Sequence, residues 1–120
     1  MGIHVAKGHF NDLTEVLEEI KQNRMWPTTY VSGAATAADI HWHSEEVHVY
    51  VMEGITDFLD GETGKRHDVM AGDKITVPAR TLHAEGAVKE KVIYLIAIPE
   101  ALPPDEFLKM RDPADLNRNG

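Results

Sequence analysis

Apolar residues recur at Leu13, Val16, Leu17 and Ile20, the 3, 4 and 7 spacing that lines one stripe of a helix. The spacing predicts a helix over 11–23, with Asn11 or Asp12 placed to cap it and Pro27 closing the segment. A single short amphipathic helix is too small to be a domain, so it is expected to pack on the strands C-terminal to it. From Thr28 onward the period falls to two. Val47, Val49 and Val51 alternate with His48, Tyr50 and Met52, a strand signal with β-branched residues on one face. Gly54 turns the chain, Ile55 to Leu59 is the next strand, and the polar run 60–64 with two glycines is a hairpin connection. His67 to Met70, the turn 71–73 and Lys74 to Val77 read as strand, turn, strand. Pro78 ends that strand, Leu82 to Glu85 begins another, and Lys91 to Ile98 is the most apolar of all.

Short strands with turn signals this regular predict an all-β fold, closed or sandwiched. Pro99, Pro103 and Pro104 break the last strand, and Asp105 to Arg111 is expected to form a short C-terminal helix of one or two turns. The 120 residues suffice for one modest core and not for two. The expected organisation is therefore a single domain over 1–120, with a helix at about 11–23, a barrel over about 28–99 and an extension over 100–120.

Composition narrows the function. At 42% hydrophobic and 27% charged the chain is not of disordered type. Twenty acidic residues against twelve basic ones give a net charge of -8, which disfavours nucleic acid and anionic membranes as partners. There is no cysteine, so any metal site must draw on His, Asp, Glu or backbone oxygen. Residues 1–10 carry no apolar run of signal-peptide length, and the longest apolar run, 92–99, is far short of a membrane span. A cytoplasmic protein is expected.

The candidate chemistry lies in the histidines. In His41-Trp42-His43 two imidazoles sit at i and i+2, which on a strand places both rings on one face about 7 Å apart. Neutral imidazole suits Zn, Fe, Ni, Cu and Mn. Two rings alone hold metal poorly, and an H-x-H pair by itself is equally a pair of surface histidines.

The surroundings decide for the first reading. Residues 41–54 (HWHSEEVHVYVMEG) and 72–83 (GDKITVPARTLH) resemble the two signature motifs of the cupin superfamily, G-x5-H-x-H-x(3,4)-E-x6-G and G-x5-P-x-G-x2-H-x3-N. His41, His43 and Gly54 match the first; Gly72, Pro78 and His83 match the second. The 17 residues between Gly54 and Gly72 are close to the gap of compact members. The resemblance implies a jelly-roll β-barrel in which His41, His43 and His83 bind one divalent metal ion, Fe, Mn, Ni or Zn.

Three positions depart from the motifs. Ala35 stands where the first glycine belongs, and Arg80 replaces the glycine after Pro78-Ala79. Val47 occupies the place of the metal-binding glutamate and cannot bind metal. Three alternatives stay open: a bare three-histidine site, His48 swung in by a β-bulge, or Glu46 reaching from the turn. Parity weighs against His48, since a valine-lined interior puts it on the other face.

Arg80 near His83 is placed to hold a substrate carboxylate, and Glu85, sharing a face with His83, to act as a base or to orient a ligand. Trp42 is expected to face away from the metal and pack on the second sheet or the helix. His4, His9 and His67 read as surface residues. The resemblance implies a metal-dependent enzyme of dioxygenase, isomerase or lyase type acting on a small oxygen-rich metabolite, and by analogy a homodimer. The competing reading is a non-catalytic module that binds or senses a small molecule or metal.

Overall fold

The computed structural model describes residues 2–116. The predicted helix forms as α1 (Leu13–Gln22), and of the two candidate caps it is Asp12 that acts, its Oδ1 accepting from the Glu15 N–H at 2.9 Å. Val16 and Ile20 are buried, while Leu13 and Leu17 remain 49% and 43% exposed, so the working stripe is half as wide as the sequence suggests.

Eight strands form among the described residues, and those from β3 onward follow the turn signals: β1 (His4–Ala6), β2 (Trp26–Ala35), β3 (Val47–Glu53), β4 (Ile55–Asp60), β5 (Arg66–Met70), β6 (Lys74–Val77), β7 (His83–Glu85) and β8 (Val88–Ile98). All pairings are antiparallel. One sheet has the order β1-β6-β3-β8-β2, the other β5-β4-β7. The all-β expectation therefore holds as two antiparallel sheets with one helix. β1 has no counterpart in the sequence reading, and β2 begins at Trp26 rather than Thr28.

The valine alternation of β3 explains the layering. Val47, Val49 and Val51 face inward and join Phe58, Val69, Ile75, Val77, Val92 and Ile96 in the main core. Tyr50, with Leu95 and Ala97 of β8, lies on the outer face, where α1 covers it with Val16 and Ile20. β3 is thus buried on both faces. Each such side chain contributes roughly 1.5–3 kcal/mol on leaving water.

The C-terminal helix expected over 105–111 does not form. Glu106 and Phe107 both donate to the Pro103 carbonyl (2.9 and 3.0 Å), but Leu108 turns left-handed at φ 52 and ends the turn. The only helical piece among the described residues beyond β8 is a 3-10 turn at Pro113–Asp115, capped by Asp112. No helix among the described residues is long and apolar enough to cross a membrane.

Candidate metal centre

His41 and His43 lie in the connection from β2 to β3, and His83 and Glu85 are the two ends of β7. His41 and His83 form an antiparallel bridge, each backbone N–H donating to the other's carbonyl at 2.9 and 3.0 Å. The Arg80 N–H donates to the His43 carbonyl at 2.8 Å. The loop carrying the H-x-H pair is thereby tied at both histidines to the second motif.

The three imidazoles converge. Ring centroids are 5.0 Å apart for His41 and His43, 4.5 Å for His41 and His83, and 5.0 Å for His43 and His83. They are only 3%, 5% and 1% exposed, too dry to be casual surface histidines. Each Nδ1 sits on a backbone carbonyl: His41 on Asp39 (2.7 Å), His43 on Lys109 (3.0 Å), His83 on Thr81 (2.8 Å). A carbonyl only accepts, so each Nδ1 is the donor, and in the neutral ring that leaves Nε2 with its lone pair.

Glu85 completes the group. One ligand atom from each of His41, His43, His83 and Glu85 lies within 4.8 Å of all the others, so the four residues could hold a metal ion. Glu85 Oε2 approaches His41 Nε2 to 3.3 Å as an ion pair, without the alignment of a hydrogen bond, and both atoms are buried with no hydrogen-bond partner. Buried donors and acceptors left unmatched are costly. Three imidazole nitrogens and a carboxylate oxygen would satisfy a divalent first-row metal.

The electrostatics favour neutral imidazoles at His43 and His83 and an ionised Glu85, while His41 is drawn toward its charged form. Burial pulls His43 down to about 4, against the opposing Lys109 carbonyl and helped by the other two histidines. Burial likewise lowers His83, with the Thr81 carbonyl opposing. For His41 burial is outweighed by contact with Glu85, and its value rises. Burial also works against ionising Glu85, yet His41 and His83 hold its carboxyl down at about 2.

Of the residues singled out from sequence, the structure gathers His41, His43, His83 and Glu85 and leaves His48, Glu46 and Arg80 aside. His48 is not a member of the cluster. Its Nε2 bonds Glu46 Oε2 at 2.7 Å on the helix-bearing face of the sheet, near Lys74 and Glu19, so His48 and Glu46 engage each other and not the three histidines. Val47 is core, 3% exposed. Arg80 is exposed and outside the cavity wall; it stands in the left-handed region at φ 61, which accounts for the glycine found there in the motif. Glu85 is the residue whose place sequence reasoning misses: its i+2 relation to His83 puts it on the right face, but the first motif directs the search for the missing ligand to its own residues. Trp42 does face away from the cluster, and its partner is the C-terminal segment. Its Nε1 donates to the Asp112 carbonyl at 2.9 Å, and Arg111 lies over the ring.

A cavity of about 350 Å³ adjoins the cluster, with His43 and Glu85 in its wall. Beyond them the wall is mainly apolar, supplied by β2, β3, β4, β8 and the segment carrying Phe107 and Leu108.

No sequence family matches the chain, and no curated protein is similar to it. Solved structures are. A DUF861 family protein from Thermotoga maritima aligns at 18% identity and TM-score 0.56, over 80% of this chain and 98% of its own. A Ralstonia eutropha JMP134 protein, provisionally assigned as a mannose-6-phosphate isomerase, aligns at 16% and 0.58, over 66% of this chain and 77% of its own. The polyketide cyclase RemF from Streptomyces resistomycificus aligns at 22% and 0.55, over 67% of this chain and 58% of its own. Identities this low speak for the fold alone.

Proposed function

The chain has the cupin fold, and on that premise we propose that it is a metal-dependent enzyme whose single divalent ion is held by His41, His43, His83 and Glu85. The observation that carries this reading is the set of three Nδ1–carbonyl bonds on three buried histidines, which leave their Nε2 atoms for a ligand beside a carboxylate oxygen that has no hydrogen-bond partner. Such bonds orient metal-binding histidines and fix their tautomer. The bound ion, Fe, Mn, Ni or Zn, would supply Lewis acidity or a docking point for a substrate oxygen.

The protein's own part is positional. His43 and Glu85 border the cavity, so a substrate lying there meets the cluster on that side. Glu85 serves better as a ligand than as a base, because its contact with His41 stabilises the carboxylate. The solved structures of like fold include a provisional isomerase assignment and a cyclase, which supports small-molecule chemistry, with the isomerase, lyase and dioxygenase types standing as alternatives within it. In this reading residues 1–120 are one domain, its sheets close as a jelly-roll barrel, and it works in the cytoplasm as a homodimer.

The test is metal content followed by turnover. Protein purified without added metal is stripped with chelator, then titrated with Mn, Fe, Ni and Zn while melting is followed. One equivalent should bind and raise the melting temperature, as any ligand of the folded state does. The loaded protein should then turn over a diketone, thiol or uronate, and His83→Ala should abolish this. Absence of binding by all four metals would overturn the metal site. A loaded protein inert across such a panel would overturn the enzymatic part and leave a binding module.

A further inference from the structure

We infer that the cavity beside the cluster admits a flat, largely apolar molecule of one or two rings and rejects sugar phosphates; that its polar end meets His43 and Glu85 rests on the reading of that cluster given above. The wall itself is the argument. Tyr94 meets Phe58 edge-on, centroids 6.0 Å apart at 74°, and stacks with Tyr30 at 6.3 Å and 29°. These three rings form an aromatic side reaching from the core to the half-exposed Tyr30 at the rim. Val49 and Ile96 add aliphatic surface from the centre of the large sheet, and Phe107 adds more from the C-terminal segment.

Such surfaces bind apolar rings by the area they remove from water and by offset or edge-on ring contacts. A volume near 350 Å³ is at the small end of ligand sites, which span roughly 300–1,000 Å³, and suits one or two rings. Charge points the same way. The ionised group in the wall is the Glu85 carboxylate, and among the described residues no lysine or arginine contributes to it. In the metal-free chain a phosphate dianion would lose its water there without gaining a cation from the wall, and it would face Glu85.

The inference is tested by titrating the full chain, metal-free and zinc-loaded, with 2-naphthol and with glucose 6-phosphate in a calorimeter. 2-Naphthol should bind even the metal-free protein, at least about tenfold tighter than the sugar phosphate, with the negative heat-capacity change of apolar burial. Ser32→Trp should weaken 2-naphthol binding about tenfold while leaving zinc affinity unchanged, because Ser32 lies in the wall on half-buried β2 surface and outside the cluster. Should that variant misfold, the contrast between the two ligands on the unaltered chain decides alone. Tighter binding of glucose 6-phosphate, or 2-naphthol binding indifferent to a folded Ser32→Trp, overturns the inference. If 2-naphthol binds and zinc does not, the cavity inference stands and the metal centre falls; zinc binding with a preference for the sugar phosphate gives the converse.

Discussion

His41 and His83 are locked to each other through their backbones, with reciprocal hydrogen bonds of 2.9 and 3.0 Å, while their rings pack 4.5 Å apart. The pairing that joins the two motifs does not depend on either imidazole. His83→Ala should accordingly keep the fold, seen as an unchanged far-ultraviolet circular dichroism spectrum, while losing a ligand. Zinc affinity, measured by competition with a chromogenic chelator, is expected to fall about a hundredfold or more.

Glu85 and His48 make opposite predictions. Glu85→Gln keeps the shape and removes the charge, and should weaken zinc binding by about ten- to a hundredfold. His48→Ala breaks a bond to Glu46 on the other face of the sheet and should leave zinc affinity unchanged. A fall in zinc affinity on His48→Ala would return His48 to the site.

Arg80 pays for its left-handed backbone, which for a non-glycine residue costs roughly 1–2 kcal/mol. Arg80→Gly should relieve part of this and Arg80→Val should add to it. Both variants forfeit whatever the arginine side chain contributes, so their difference isolates the backbone. Urea unfolding should separate them by about 2 kcal/mol, glycine the more stable.

Glu19 ties α1 to the sheet, and its contribution should vanish in acid. Lys74 Nζ lies 2.7 Å from its Oε2, the Tyr50 hydroxyl donates to the same oxygen, and His9 Nε2 is 2.7 Å from Oε1. Burial opposes ionisation, but Lys74, Tyr50 and His9 bring the carboxyl from an ordinary 4.5 to about 2. A folded-state value below the unfolded one adds stability that is complete above pH 4.5 and is lost as pH falls toward 2. With a side chain 28% exposed, the contribution is on the order of 2 kcal/mol. Glu19→Gln should cost about that much at pH 7 and much less at pH 3, read from denaturant midpoints at each pH.

Trp42 bears on the His43 ring from a distance. Its indole holds Asp112 and Arg111, and the segment so anchored presents the Lys109 carbonyl to His43 Nδ1. Trp42→Ala should loosen that carbonyl and weaken zinc binding about tenfold, the scale of losing an orienting bond. The signature beyond a simple loss of stability is in the His43 ring signals by NMR, which should broaden while those of His83, held by Thr81, stay sharp.

The strands are legible because β-branched residues alternate over β3 and because Gly54, Gly72 and Pro78 punctuate the chain where the backbone turns. The histidines are legible because the resemblance to the two motifs groups His83 with the His41 and His43 pair, which spacing alone leaves open. Glu85 is half legible: alternation fixes its face, but nothing in the first motif signals that β7 brings a carboxylate to the three histidines. The orienting carbonyls of Asp39, Thr81 and Lys109 are invisible, since a backbone acceptor leaves no mark on residue identity. β1 escapes because three residues are too few to show a period. The C-terminal helix fails because the composition of 105–111 does not reveal that Leu108 bends the backbone toward the cavity.

The bond from His43 to Lys109 spans 66 residues and carries a consequence for the order of assembly. A ribosome makes this chain from its N-terminus, so all three histidines emerge before residue 109 exists. A nascent chain can therefore pair its strands and still present one imidazole that turns freely. A product truncated before Lys109 lacks the carbonyl that aims the His43 ring, and in the proposed reading it should hold zinc less tightly than the full chain.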